Sequence, residues 1–319
     1  MKKFFEFEKP LVEIKEKIAL LREGTDQDAK VIEEIKKLEK KQLLLTEEIY
    51  AKLTPWETTQ VARHAERPTT SDYIENLFED FTELHGDRLY GDDKSIIAGL
   101  AKFRGRSVVV MGHQKGKNIK ERVERNFGMP HPEGYRKALR LMQLAERFKK
   151  PMITFIDTPG AYPGVGAEER GQSEAIARNL AVMSQLKIPI LCVVIGEGGS
   201  GGALALAVGD RLLMLQHTIY SVISPEGCAA ILWNDENRAE EAASALKLTA
   251  PDLLQMGIID AIIPEPIGGA HRNHAAVFES VSEMLCKQLT TLSAISPEEQ
   301  IQQRYNRLRK IGAYTETKS

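Results

Sequence analysis

The chain has 319 residues, 42% of them hydrophobic and 28% charged, a globular composition with room for one large domain or two small ones. Its 43 basic and 45 acidic residues leave a formal net charge of -2, so bulk attraction to nucleic acid or to an anionic membrane is excluded as its organising force. No window approaches about 18 uninterrupted apolar residues, so no transmembrane helix is expected, and the N-terminus is too broken by Lys and Glu to read as a signal peptide.

Residues 1–55 carry apolar positions at helical spacing. Leu11, Ile14, Ile18 and Leu21 form one stripe, and Val31, Ile32, Ile35, Leu38 and Leu45 a second, with a break over 24–28. A helical hairpin packed on a larger body or a partner chain is expected; a solvated hairpin is the alternative. Segments 96–101 and 107–111 read as two strands around Arg104-Gly105-Arg106. A basic amphipathic helix spans 132–150 and stops at Pro151. Strand 152–156, helix 168–186, strand 190–195 and helix 200–208 follow. Then come strands 212–215 and 219–223, helices 225–233, 239–246 and 250–256, and an extended segment 258–263. A polar helix and tail occupy 297–319. The alternation predicts a layered α/β fold with parallel pairing, its main domain over 56–296. Cys192, Cys228 and Cys286 are odd in number and not at metal-ligand spacing, so a reducing compartment is expected.

Two glycine-rich turns follow buried strands. The first, DTPGAYPGVGAEERGQ at 157–172, joins a strand to a helix, the arrangement that binds anions through free main-chain amides. It lacks the Gly-Lys-Ser/Thr of a phosphate loop, and prolines interrupt the spacing of a dinucleotide fingerprint. The second, GEGGSGGALA at 196–205, concentrates five glycines in seven residues, a cost in chain entropy that close backbone approach would justify. Fixed N–H groups of such a turn stabilise an oxyanion. A tight surface loop and a close helix contact are the plain readings of the two turns.

These segments, with YSVISPEGCAAILW at 220–233, NFGMPHPEGYRKALRLMQLAERFKKP at 126–151 and IIPEPIGGAHRN at 262–273, resemble the α-subunit family of bacterial acetyl-coenzyme A carboxylase carboxyltransferase. The resemblance covers most of the chain and implies a crotonase-like (ClpP/crotonase) superhelix of ββα units with an N-terminal helical hairpin. It implies transfer of a carboxyl group from carboxybiotin to acetyl-coenzyme A, giving malonyl-coenzyme A for fatty acid synthesis in the cytoplasm. It further implies an α2β2 assembly with a zinc-bearing β subunit, working with the biotin carboxyl carrier protein and with biotin carboxylase, where ATP is used. No metal is expected in this chain itself.

On that reading the amides around Gly201 and Gly202, with Gly164, Val165 and Gly166, are expected to face the biotin ureido oxygen. Bulk at Gly201 or Gly202 is then expected to abolish transfer. Tyr162, Gly198 and Gly199 are expected to wall the biotin pocket. Lys115 and Lys117, in a basic stretch with Lys120, Arg122 and Arg125, are expected to meet coenzyme A phosphates or an acidic carrier; a solvated basic face is the alternative. His113 and His271 read as structural, and no nucleophile–base pair is evident. Two other functions fit the residues. A lone hydratase or thioester hydrolase would draw on Glu168, Glu169 and Glu197. A non-catalytic scaffold would need neither turn for chemistry.

Overall fold

The computed structural model describes residues 4–23 and 28–312. Most of the break expected at 24–28, and the tail beyond residue 312, lie outside the described residues.

One mixed sheet organises the chain. Its strands are β1 Glu79–Glu83, β2 Ile96–Phe103, β3 Arg106–His113, β4 Met152–Thr158, β5 Ile190–Gly199, β6 Arg211–Leu215, β7 Ile219–Ser221 and β8 Ala261–Ile263. Their order is β1-β2-β3-β4-β5-β6-β8, with β7 beside the far end of β5. The first three strands are antiparallel neighbours and the rest pair in parallel. Arg104 and Gly105 turn the expected hairpin with φ of 47° and 75°, the left-handed pair that matches the twist of two-residue hairpins.

Both faces of the central strands are covered, so they read as unbroken apolar runs. Met152, Ile156, Ile190, Cys192 and Val194 lie in one apolar cluster with Tyr135, Leu141 and Met142 of helix Pro132–Arg147. Ile153, Phe155, Leu191, Val193 and Ile195 face helix His274–Ser293 through Val277, Val281 and Leu285. This second covering helix, and helices Pro55–Ala62 and Thr70–Leu77, were not among the elements expected from sequence. Three expected bounds also move. The helix expected at 168–186 is two, Val165–Glu169 and Gln172–Gln185, broken where Gly171 takes φ 81°. The strand expected at 190–195 continues to Gly199, because β7 supplies its last segment with a partner. The helix expected at 200–208 closes at Leu204.

The N-terminal helices Lys9–Glu23 and Ala29–Ala51 pack through Ile14, Ile18 and Ile35, while Ile32 stays exposed. Glu8 fastens them to the body: its buried carboxylate accepts from Tyr50 Oη at 3.0 Å and pairs with Arg272.

The helix Pro297–Arg309 is bound in by one buried guanidinium. Arg304, 1% exposed, pairs with Asp210 through Nε at 2.9 Å and Nη2 at 3.0 Å. It also donates to the carbonyls of Met183, Leu186 and Ile188. Asp210 in turn accepts the Ile190 amide at 2.7 Å, which starts β5. Truncating one partner leaves the other charge buried and unpaired, so Arg304→Ala is expected to cost roughly 3 to 5 kcal/mol, read as a shifted midpoint in urea unfolding.

Candidate functional site

The carboxyl ends of β4 and β5 diverge into the two glycine-rich turns, the place where open parallel sheets bind ligands. Their contact is main chain on main chain. A Cβ on Gly199 would lie 2.1 Å from the Pro159 carbonyl oxygen, and one on Gly202 would lie 2.5 Å from both the Gly160 carbonyl carbon and the Ala161 nitrogen. Only glycine permits this approach. Gly201 differs, since a Cβ there would meet only Ile176, at 3.8 Å.

Between them sits Ser200, exposed and left-handed at φ 52°, which swings the chain from β5 into the short helix Ser200–Leu204. The first amides of a helix have no acceptor within it. Neither the Gly201 nor the Gly202 amide donates to a carbonyl elsewhere, and the Ala161 amide of the facing turn is likewise unengaged. At Ser200 and Gly201, on the second turn, opens a cavity of about 450 Å³ whose lining also includes Leu204, Tyr220, Val222 and Met256. Its walls are mostly apolar, with main-chain donors at one side, the usual make-up of a small-molecule site.

Charged groups under the turn hold one another. Asp157 Oδ1 accepts from Lys115 Nζ at 2.7 Å and from the Glu197 amide at 3.0 Å. Arg63 caps this set, donating to Glu197 at 2.6 Å and to Glu226 at 2.5 Å. Burial would raise the Glu226 carboxyl, but the Arg63 guanidinium holds it below the ordinary glutamate value. A Cβ on Gly196 would strike Asp157 Oδ1 at 2.3 Å, so this part of β5 is glycine for the sake of that carboxylate. His113, fully buried at the end of β3, shares a hydrogen bond of 3.2 Å with the Gly202 carbonyl through Nε2. Burial pushes its pKa down to about 4, so the neutral ring donates.

The structure thus brings together Gly198, Gly199, Gly201 and Gly202 with residues 159–161. Gly164, Val165 and Gly166 lie further along the first turn, where Gly164 caps helix Val165–Glu169 and the Tyr162 ring packs on it. Tyr162 stacks on His131 with ring centroids 4.3 Å apart. Lys115 is committed to Asp157, whereas Lys117, half exposed, pairs with Asp72 at 2.5 Å. Glu168 and Glu169 are exposed. Sequence reasoning takes Gly160 as a position of close main-chain approach, but gives no role to Ala161, Arg63 or the Asp157 carboxylate. The proline-glycine pair after a strand was the available signal for Ala161; nothing local marks Arg63, 134 residues from Glu197.

Among the described residues no group of three His, Cys, Asp or Glu side chains is placed to hold a metal ion, and no helix is long and apolar enough to cross a membrane.

Residues 4–312 match the family model described as acetyl co-enzyme A carboxylase carboxyltransferase-like. The chain is 60% identical over 311 residues to the acetyl-coenzyme A carboxylase carboxyl transferase subunit alpha of Halalkalibacterium halodurans, covering 97% of this chain and 96% of that one. It is 56% identical over 314 residues to the same subunit of an Azoarcus species, at 98% of each. Among solved structures, transcarboxylase 12S with methylmalonyl-coenzyme A bound superposes with a TM-score of 0.58 at 19% identity, over 72% of this chain and 42% of that one. A Pseudomonas malonate decarboxylase hetero-tetramer in complex with coenzyme A gives 0.57 at 16%, over 69% and 89%. At these identities the structural likeness establishes the shared crotonase-like fold.

A second buried pair fixes β5 just before the turn. Arg67 donates to the Ile195 carbonyl at 3.1 Å and to Glu265 at 2.7 Å. Burial would raise the Glu265 carboxyl, but Arg67, with help from the His217 amide, lowers it from an ordinary 4.5 to about 2. A depressed carboxyl stabilises the fold fully above its unfolded value and ceases to as pH falls towards its folded one. Stability is therefore expected to decline from about pH 4.5 to about pH 2, and Glu265→Gln to flatten that decline while lowering stability at pH 7 by roughly 3 to 5 kcal/mol; urea unfolding at a series of pH values measures both.

Proposed function

Because the chain belongs to the acetyl-coenzyme A carboxylase carboxyltransferase family, we propose that its paired glycine turns are the α-subunit half of the carboxyl-transfer site. The reaction is transfer of a carboxyl group to acetyl-coenzyme A, giving malonyl-coenzyme A for fatty acid synthesis. The observation that carries the assignment is the backbone contact of Gly199 and Gly202 with residues 159–161, with unengaged amides on both turns and a cavity that opens at Ser200 and Gly201.

The donor set suits biotin. Apolar walls at Leu204, Val222 and Met256 would hold its fused rings, and the unengaged Gly201, Gly202 and Ala161 amides would meet its ureido oxygen. Biotin, if bound on a partner, would supply the carboxyl group and a base for the methyl proton of acetyl-coenzyme A. The chain's own part is electrostatic. Amides fixed before the reaction stabilise negative charge as it develops, each such donor being worth about 3 to 4 kcal/mol. Gly164, Val165 and Gly166, further along the first turn, would add a donor, and Tyr162, packed on Gly164, would wall that side. No side chain here needs to move a proton, since Asp157, Glu197, Lys115 and Arg63 are committed to one another. Lys117, by exchanging Asp72 for a phosphate, would meet coenzyme A or an acidic carrier. The assembly we assign is α2β2 with a zinc-bearing β subunit, supplied by biotin carboxylase and the biotin carboxyl carrier protein in the cytoplasm.

Assembly is tested by co-purification with the β subunit and assay of malonyl-coenzyme A decarboxylation with a biotin derivative. Within the assembled complex, the two glycines of the turn should separate. Gly201→Ala has room and keeps its N–H, so kcat should stay within a few-fold of wild type. Gly202→Ala must push the turns apart and misplace the amides, so kcat should fall by about 10² to 10³. Near-normal turnover by Gly202→Ala in an assembled complex would remove the oxyanion role.

A further inference from the structure

The pole of the sheet opposite the glycine turns holds a larger cavity, of about 720 Å³. It is built from the segments that lead into β3, β4 and β5 and from the junction of helices His274–Ser293 and Pro297–Arg309. Along β5 alone, at about 3.3 Å per residue, the two sites lie about 30 Å apart.

Four cations line this cavity: Arg106, Lys149, Lys150 and Lys187. Arg106 donates to Ser293 Oγ at 2.6 Å, whereas the three lysine ammonium groups have no ion pair or hydrogen bond. The two carboxylates in the lining, Glu146 and Glu298, leave a cationic excess, and Glu146 is already taken by the Lys187 main-chain amide at 3.0 Å. Pro151, Ile188 and Ile295 supply apolar surface between the charges.

The wall also contains an unsatisfied acceptor. Gln300 is 3% exposed, and its Nε2 donates to the carbonyls of Leu292 at 2.6 Å and Ile295 at 3.4 Å. Those two bonds fix which end of the amide is oxygen, and Oε1 has no partner. A buried acceptor left unpaired is costly, and a phosphate oxygen could not serve it. The missing partner is an N–H or O–H donor.

We propose that this cavity binds a phosphorylated metabolite that also carries an amino or hydroxyl donor and a flat apolar surface; a nucleoside diphosphate meets all three requirements. The lysines take the phosphates, the proline and isoleucine faces take the base, and Gln300 Oε1 accepts from the base or sugar.

Titration calorimetry of the full chain with ADP and with pyrophosphate tests this. ADP should bind one per chain, and the exposed pair Lys149→Ala/Lys187→Ala should weaken ADP and pyrophosphate alike, by at least about tenfold at moderate salt. Gln300→Met should weaken ADP and leave pyrophosphate unchanged; an unaltered thermal midpoint in the lysine variant shows that lost binding is not lost folding. Absence of saturable ADP binding at millimolar concentration would overturn the proposal. So would ADP binding that the lysine variant leaves intact, because the nucleotide would then sit elsewhere.

Discussion

Everything at the functional end of this molecule depends on two backbones lying closer together than side chains allow. The carbonyl of Pro159 and the peptide between Gly160 and Ala161 occupy the space where β-carbons of residues 199 and 202 would be. Once that contact is made, the positions of the nearby amides follow from covalent geometry, not from rotamers. Donors that cannot reorient have no reorganisation left to do when charge appears beside them. The left-handed Ser200 belongs to the same constraint, since a strand that must turn sharply into a helix within one residue has few other conformations.

The contact is held from beneath by charge. Asp157, at the end of β4, takes the Glu197 amide of β5, and Lys115 and Arg63 close the network around it. Each ion is costly to bury, and each is tolerable only because the next neutralises it. Arg67 repeats the device one step back by gripping the Ile195 carbonyl while it pairs with Glu265. Arg63 and Arg67 both come from the stretch around helix Pro55–Ala62, which explains why a segment far from the sheet in sequence packs against the mouth of β5. These side chains act on the shape of the turn, and through it on the position of its main-chain amides.

Much of this was legible in the sequence, for reasons that differ by element. The hairpin over 96–113 was readable because Gly105 sits between two short apolar runs. The two turns were readable because so many glycines after a strand need a cause. Helix His274–Ser293 is also legible in the sequence, with Val277, Val281, Leu285 and Leu289 at four-residue spacing and Asn273 as its cap. What no local pattern could reveal was pairing across the fold. Lys115 looks like one of several basic residues in a solvated stretch until β3 and β4 lie side by side and bring Asp157 to it. His113 looks like any core histidine until the Gly202 carbonyl arrives from 89 residues away. The true end of β5 was hidden for a similar reason: Gly196–Gly199 has little strand propensity and is extended because β7 pairs with it.

On the proposed function, a site of this kind would be shared with another polypeptide. Main-chain amides stabilise charge but transfer no proton, and the ionisable groups nearest the turn are already tied into a closed network. Freeing one of them to act as a base would leave its neighbours buried and unpaired, which would loosen the turn that makes the site useful. The chain therefore trades side-chain chemistry for rigidity. On the proposed function, reactive groups would arrive with the ligands or with another polypeptide, at a cavity whose mostly apolar walls stand beside the Gly201 amide.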